Sequence, residues 1–260
     1  MRLPRRLFSP LAFIAGGAIL SLPSAAAVPW NGPYVGVNLG GAFGSSHANT
    51  ATAFDPSGYF ASTSVSAINT AGIQSMSPSG FVGGFELGYD YRIDNIVLGL
   101  EGEIVANTTS ARVSTTANYP CCSPSTFTID SKVASNWMAT IRPRVGLALD
   151  DGGLFYVTGG YAVTDEKTSF TFIDTFANAL STGSKNTDKS GWTVGAGYAF
   201  PWTSELSVKI EYLYADFGSF AHQGSVLTAF TPPVSFAANP FVHNTSLTEN
   251  IVRVGLDWHL

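Results

Sequence analysis

Residues 250–260 read Asn250-Ile251-Val252-Arg253-Val254-Gly255-Leu256-Asp257-Trp258-His259-Leu260. Val252, Val254, Leu256, Trp258 and Leu260 alternate with Arg253, Gly255, Asp257 and His259, and Ile251 is the apolar exception. Period-two alternation makes a β-strand with two chemically different faces. In a soluble sandwich the apolar face packs the core. In a membrane barrel it meets lipid, and the polar face lines a narrow lumen. Here glycine sits on the charged face. Glycine weakens a solvated strand, yet on the concave side of a small barrel it leaves room for long neighbouring side chains. The inverted sense is favoured.

Composition points the same way. Only 12% of the 260 residues are charged while 13% are aromatic, and mean hydropathy is +0.18; soluble domains carry about a quarter charged residues. Beyond the N-terminal leader, no segment approaches the ~18 consecutive apolar residues of a membrane helix. In that leader, Arg2, Arg5 and Arg6 precede an apolar run from Leu11 to Leu20 and an Ala25-Ala26-Ala27 cleavage site. Residues 1–27 therefore predict a secretory signal peptide, with 28–260 as the barrel domain. The Arg5-Arg6 pair faintly resembles a twin-arginine signal, a reading we discount because that route carries folded cargo. A net charge of −5, with no basic cluster past the leader, argues against nucleic acid as a partner. Cys121 and Cys122 are adjacent; they can close a vicinal disulfide in a loop but lack zinc or thioredoxin-like spacing.

Seven further stretches alternate in the same way: about Tyr34–Gly44, Ser79–Arg92, Ile96–Ile104, Val133–Leu149, Leu154–Thr164, Gly191–Phe200 and Glu205–Gly218. Tight turns at Asp94-Asn95, Asp150–Gly153 and Pro201–Ser204 join some of them. Between the others lie long polar segments: one after Gly44, then Asn107–Lys132, one ending near Lys189, and Ser219–Leu247. Soluble hairpins rarely carry such loops. Long loops at one end and tight turns at the other describe an eight-stranded antiparallel transmembrane up-and-down β-barrel, with four extracellular loops and short periplasmic turns. The aromatics sort accordingly: Tyr89, Tyr91, Phe155, Tyr198, Phe200 and Trp258 near the turns, Phe43, Phe81, Trp137, Tyr161, Trp192, Tyr212 and Tyr214 near the loops.

Five segments carry a family likeness: Trp30–Asn38, Gly83–Tyr89, Tyr156–Gly160, Gly191–Gly197 running on to Lys209–Tyr214, and Asn250–Leu260. In these the chain resembles the small alphaproteobacterial outer-membrane surface antigens, or porin-family proteins, with an OmpA-like eight-stranded barrel. The resemblance implies a location in the Gram-negative outer membrane, with lipid and lipopolysaccharide as surroundings. It also implies that Val252, Val254, Leu256, Trp258 and Leu260 are read by the barrel-assembly machinery. Pro143 stands where the family usually has Gly, and Leu260 where Phe is usual.

Strand parity sends Glu86, Asp90, Glu101, Glu103, Glu211 and Asp257 inward, with Arg92, Arg142, Arg144, Lys209 and Arg253. Eight strands enclose a lumen that side chains fill. The expected network comprises Glu86, Glu101, Glu103, Arg142, Arg144, Lys209, Glu211 and Arg253. The turn at Asp94 puts Glu86 beside Glu101 or Glu103, acids that Arg142 and Arg144 should neutralise, while Glu211 should meet Arg253. The network predicts a plugged, structural barrel displaying its loops to an unknown extracellular ligand; a small diffusion pore is the alternative. Catalysis and cofactors are not expected: an activated Ser would need a His in reach. His47, His222 and His243 read as loop residues, and His259 as a residue of the periplasmic rim. Loop histidines could ligate iron in a haem-binding or adhesive protein, a less favoured reading.

Overall fold

A computed structural model describes residues 30–260; the expected signal segment, 1–27, lies outside them. The elements are β1 (Gly32–Ala51), α1 (Ser62–Ala71), β2 (Ile73–Met76), β3 (Ser79–Ile93), β4 (Ile96–Asn107), β5 (Ser110–Asn118), β6 (Thr126–Ala148), β7 (Leu154–Asp174), β8 (Leu180–Pro201), β9 (Leu206–Gln223), β10 (Leu227–Ala229), β11 (Val234–Phe236) and β12 (Val242–His259). Eight of them close a ring of antiparallel pairs in the order β1-β3-β4-β6-β7-β8-β9-β12, and β12 returns to β1 with Val35 opposite Trp258.

Alternation decides what each face meets. On β3, Phe81 is 73% exposed on the outer wall, while Arg142 on β6 is 0% exposed inside. That inversion holds around the ring: Val37, Leu39, Leu87, Leu100, Ile141, Val157, Ile210 and Val254 all point outward. The outward aromatics form two belts. Phe81 lies across from Gly41 and Tyr161 across from Trp192 at the loop end, while Phe155 faces Tyr198 at the turn end. Asp94 and Gly152 take positive φ in the tight turns, as such turns require.

The long segments differ from the expected loops, because much of their length is strand. β1 runs on to Ala51, and the stretch that reads as irregular then forms α1 and β2. β5 and the start of β6 build a hairpin from Asn107–Lys132, and β7 and β8 extend past the outer belt until only residues 175–179 separate them. His47, His222 and His243 therefore lie in β1, β9 and β12 rather than in loops. The physical reason is that lipid imposes the alternation. Above the outer belt the outer face meets water instead of lipid, so Ser- and Thr-rich strands form there, and an apolar period survives only on inner faces such as Phe127, Ile129, Phe170 and Phe172.

Two local departures also have causes. Asn136 points outward rather than inward, because a register shift between Ser135 and Met138 turns Met138 into the lumen; Asp165 Oδ1 accepts the Asn136 and Trp137 N–H groups at 2.6 and 3.0 Å. Arg92 is exposed at the turn and donates to the Asp94 carbonyl at 2.6 Å, having passed the end of the lumen. At Pro143, which has no N–H to give, the β6–β7 ladder is interrupted, and Thr158 Oγ1 donates to the Pro143 carbonyl at 3.0 Å.

Candidate functional site

The interior is stacked in layers along the barrel axis. At the turn end Trp30, Val97, Ala148, Leu154, Tyr156 and Ala199 form an apolar stopper, and Trp30 Nε1 donates to the Gly152 carbonyl at 2.9 Å. Above it lies a layer of charges. Next comes an apolar layer that includes Val82, Val105, Met138, Leu213, Phe217 and Ile251. A polar shelf follows, and an aromatic dome closes the top, with Phe172 stacked on Phe241 at 4.7 Å and edge-on to Phe60 at 5.5 Å.

Parity delivers the charges to one layer, and barrel closure assigns their partners. Glu86 faces Glu103 across β3 and β4, so like charges are neighbours on the wall. Arg142 and Arg144 come from the neighbouring β6, with Arg142 directly across from Glu101, while Lys209 and Arg253 reach over from β9 and β12. Arg142 bonds Glu101 and lies 2.9 Å from Glu103 and 3.6 Å from Glu211. Arg253 joins Glu103 to Glu211, its own cross-strand neighbour. Lys209 Nζ lies 2.7 Å from Glu86 and 3.0 Å from Glu101, with Asp257 at 3.6 Å. Arg144 bonds Asp90 and sits 3.6 Å from Glu101, its guanidinium 4.6 Å from the Tyr34 ring centre and 5.2 Å from that of Tyr156.

Six carboxylates thus share four bases, and neutral donors supply the difference. Tyr34 donates to Glu101 at 2.8 Å, Tyr156 to Glu211 at 3.0 Å and Asn38 to Glu86 at 3.1 Å. The network list read from the sequence lacked Tyr34, Asn38, Tyr156, Asp90 and Asp257, although inward parity was available for each. Glycine makes the room: a Cβ on Gly88 would collide with the Tyr34 ring, and one on Gly99 with Asp90 and Arg144. Glu86, Glu101 and Glu103 converge closely enough to resemble a metal site, but Lys209, Arg142 and Arg253 already occupy that neighbourhood.

The histidines are largely engaged. His243 Nδ1 and Nε2 meet the Thr50 and Thr245 hydroxyls at 2.7 and 2.8 Å; burial and then the neighbouring His222 push its pKa down to about 4. At the turn end His259 Nε2 meets Ser207 Oγ at 2.9 Å, a serine–histidine pair that was not anticipated. Both are buried, and Trp30 packs edge-on against the imidazole at 5.3 Å.

On the dome, Tyr59 and Tyr119 both donate to Asp174 Oδ2, at 2.6 and 3.0 Å. Burial, helped by that carboxylate, pushes both phenols up. A disulfide joins Cys121 to Cys122 beside them, lining a surface cavity of about 200 Å³ with Tyr59, Phe60, Ser64 and Phe176.

The family match and the sequence relatives agree with this architecture. The family model described as "Outer membrane protein beta-barrel domain" matches residues 12–259. The 31 kDa outer-membrane immunogenic protein of Brucella melitensis is 34% identical over 204 residues, which is 76% of this chain and 77% of that protein. The 22 kDa outer membrane protein of Rhizobium leguminosarum bv. viciae is 27% identical over 140 residues, 54% of each chain. Among solved structures, OprG from Pseudomonas aeruginosa aligns over 88% of this chain and 97% of its own at 12% identity, with a TM-score of 0.43. The closed ring, its apolar exterior and a family match over nearly the whole sequence lead to one conclusion: the chain belongs to the outer-membrane β-barrel family and is a protein of the outer membrane.

Proposed function

We propose that this is a structural outer-membrane barrel whose lumen is plugged by the ion-pair layer and whose extracellular dome is displayed at the cell surface, without catalytic chemistry. The observation that carries the reading is the sandwich: paired charges, each base at most 3% exposed, lie between an apolar stopper and an apolar layer. A solute crossing would have to strip those charges of their partners, which is costly in a dry interior. A diffusion pore needs a continuous polar path, and the two apolar layers argue against one. The outer wall supports contact with lipid and lipopolysaccharide. The exposed Val252, Val254, Leu256, Trp258 and Leu260 suit a strand read by the barrel-assembly machinery during insertion. That relatives are named immunogenic supports exposure of the dome to an extracellular ligand. Against catalysis stands the burial of Ser207 and His259 behind Trp30, and the double engagement of His243 removes that histidine as a haem ligand.

Single-channel recording of the refolded protein in a planar bilayer tests the plug, with Arg142→Ala as comparison. Silence from well-inserted native protein is expected. Stable steps whose ion selectivity changes in Arg142→Ala would make the lumen a pore lined by these charges.

A further inference from the structure

Above the outer aromatic belt the barrel wall has a seam. β8 and β9 pair from Pro201↔Ser207 as far as Trp192↔Asp216, and there the pairing stops. β8 continues against β7 to Leu180, and β9 continues against β12 to Gln223. The two sides meet again at the top, where the Ser225 N–H donates to the Thr182 carbonyl at 2.6 Å and Ser181 Oγ to the Ser225 carbonyl at 2.9 Å. Between these closures, residues 183–191 and 217–223 face each other as unpaired edges. Lys189 bridges the seam: its Nζ donates to the Ser219 carbonyl at 3.4 Å and sits 4.7 Å from the Phe220 ring centre.

The edges of this seam are open to solvent, while the inner face behind them is buried. Inward positions are buried on most of the ring, but on β8 Lys185 is exposed and Thr187 and Lys189 are half-buried, as is His222 on β9. Behind them stands Glu166 of β7, directly across from Thr187 and 0% exposed. Neither of its carboxylate oxygens has a hydrogen-bond partner, and Thr168 Oγ1, two residues along the same face, has none either. The second buried carboxylate of the shelf, Glu249, accepts from Asn107 Nδ2 at 3.0 Å. Burial, opposed by Lys189 and reinforced by Glu249, raises the Glu166 pKa to about 7.

Unpartnered buried polar groups cost ~1–3 kcal/mol each, and where they persist a polar guest usually satisfies them. The charges say which kind. Carboxylates lie inside, and Lys185 and Lys189 lie at the mouth, placed across from Thr168 and Thr164 on either side of Glu166. A simple cation would meet two lysines on entry, and a simple anion would meet Glu166 and Glu249 inside. A dipolar molecule suits both.

We propose that the β8–β9 seam is a binding site for small zwitterions of the α-amino-acid type, which enter from the extracellular side with the ammonium toward Glu166 and the carboxylate toward Lys185 and Lys189. Lys189 leaves its contact with Ser219 to receive the carboxylate. The site lies above the apolar layer, so occupancy captures a solute without carrying it through the barrel.

Calorimetric titration of the refolded protein in micelles with L-alanine tests this, with ethylammonium and propionate as half-molecule probes. L-Alanine binding is expected, with both halves much weaker. Glu166→Gln, which is isosteric and removes a buried charge, should weaken binding about tenfold or more. Lys185→Glu, at an exposed position where folding is not at stake, should do the same. No heat with L-alanine at roughly tens of millimolar, unchanged affinity in either variant, or ethylammonium binding as tightly as L-alanine would each overturn the proposal.

Discussion

Two stretches of the same lumen obey different rules. Between the aromatic belts every neighbouring pair of strands is joined, with one interruption at Pro143, and all ten inward charges, Glu86, Asp90, Glu101, Glu103, Glu211, Asp257, Arg142, Arg144, Lys209 and Arg253, lie within an ion pair. Above the outer belt the ladder opens between β8 and β9, and Glu166 stands without a hydrogen-bond partner. The difference follows from the surroundings. In lipid no water can satisfy a backbone edge, so the strands must close completely. Outside the membrane an open edge can be hydrated, and closure becomes optional. The lower interior is therefore built for permanence and the upper one for exchange with solvent.

The largest break in that contrast should come from the charge layer. Arg142→Ala strips Glu101, Glu103 and Glu211 of a shared base and is expected to destabilise the barrel by about 3–5 kcal/mol, read from urea unfolding in lipid vesicles by tryptophan fluorescence. Lys167→Ala, which removes a partly exposed pairing with the buried Asp165 at 3.7 Å above the membrane, should change stability by no more than ~1 kcal/mol. Equal effects would erase the distinction between the two stretches.

The outer wall should divide in the same place. Ile104→Arg, on the lipid-facing side of β4 across from Phe85 and midway between the belts, is expected to cost about 2–4 kcal/mol. Asn186→Arg, exposed on β8 above the belt, should be nearly neutral in the same assay. Overpacking comes next: Gly99→Ala drives a methyl into Asp90 and Arg144 and should cost about 1–3 kcal/mol, with a lowered temperature in a heat-modifiability gel.

A further contrast is a pH dependence in the upper stretch. His243 has its pKa lowered to about 4 in the fold against about 6.5 when unfolded. Its contribution is therefore complete above the unfolded value and declines as pH falls toward 4. Glu166, raised to about 7, works the other way: stability declines as pH rises from the ordinary glutamate range toward 7. Unfolding titrations across this range should show His243→Gln flattening the acid limb and Glu166→Gln the neutral limb. Curves parallel to the native one would show that neither group couples to folding.

How much of this was legible in the chain varies by region. Val252 to Leu260, Phe81 to Tyr91 and Ile96 to Ile104 announce themselves because lipid demands an apolar residue at every second position. The same parity places Glu86, Glu101, Arg142 and Arg253 inside. Above the belt that demand ends. His47, His222 and His243 consequently read as loop residues although they lie in strands, and the Ser62–Ala71 helix gives too brief an apolar pattern to stand out.

The sequence by itself determined the fold class, the lipid-facing and lumen-facing sets within the membrane, and the turn end of the barrel, all of which are local properties of one strand in one solvent. Pairs between neighbouring strands, Arg142 with Glu101 and Arg253 with Glu211, follow from local register, and only the tertiary structure decided which charges meet across the lumen. Arg253 reaches Glu103 and Lys209 reaches Glu101 across the lumen, because closing β12 onto β1 brings together strands far apart in the chain. The stacking of apolar and charged layers, the burial of Ser207 against His259 and the seam at Lys189 arise likewise from register around the whole ring, which no single segment encodes.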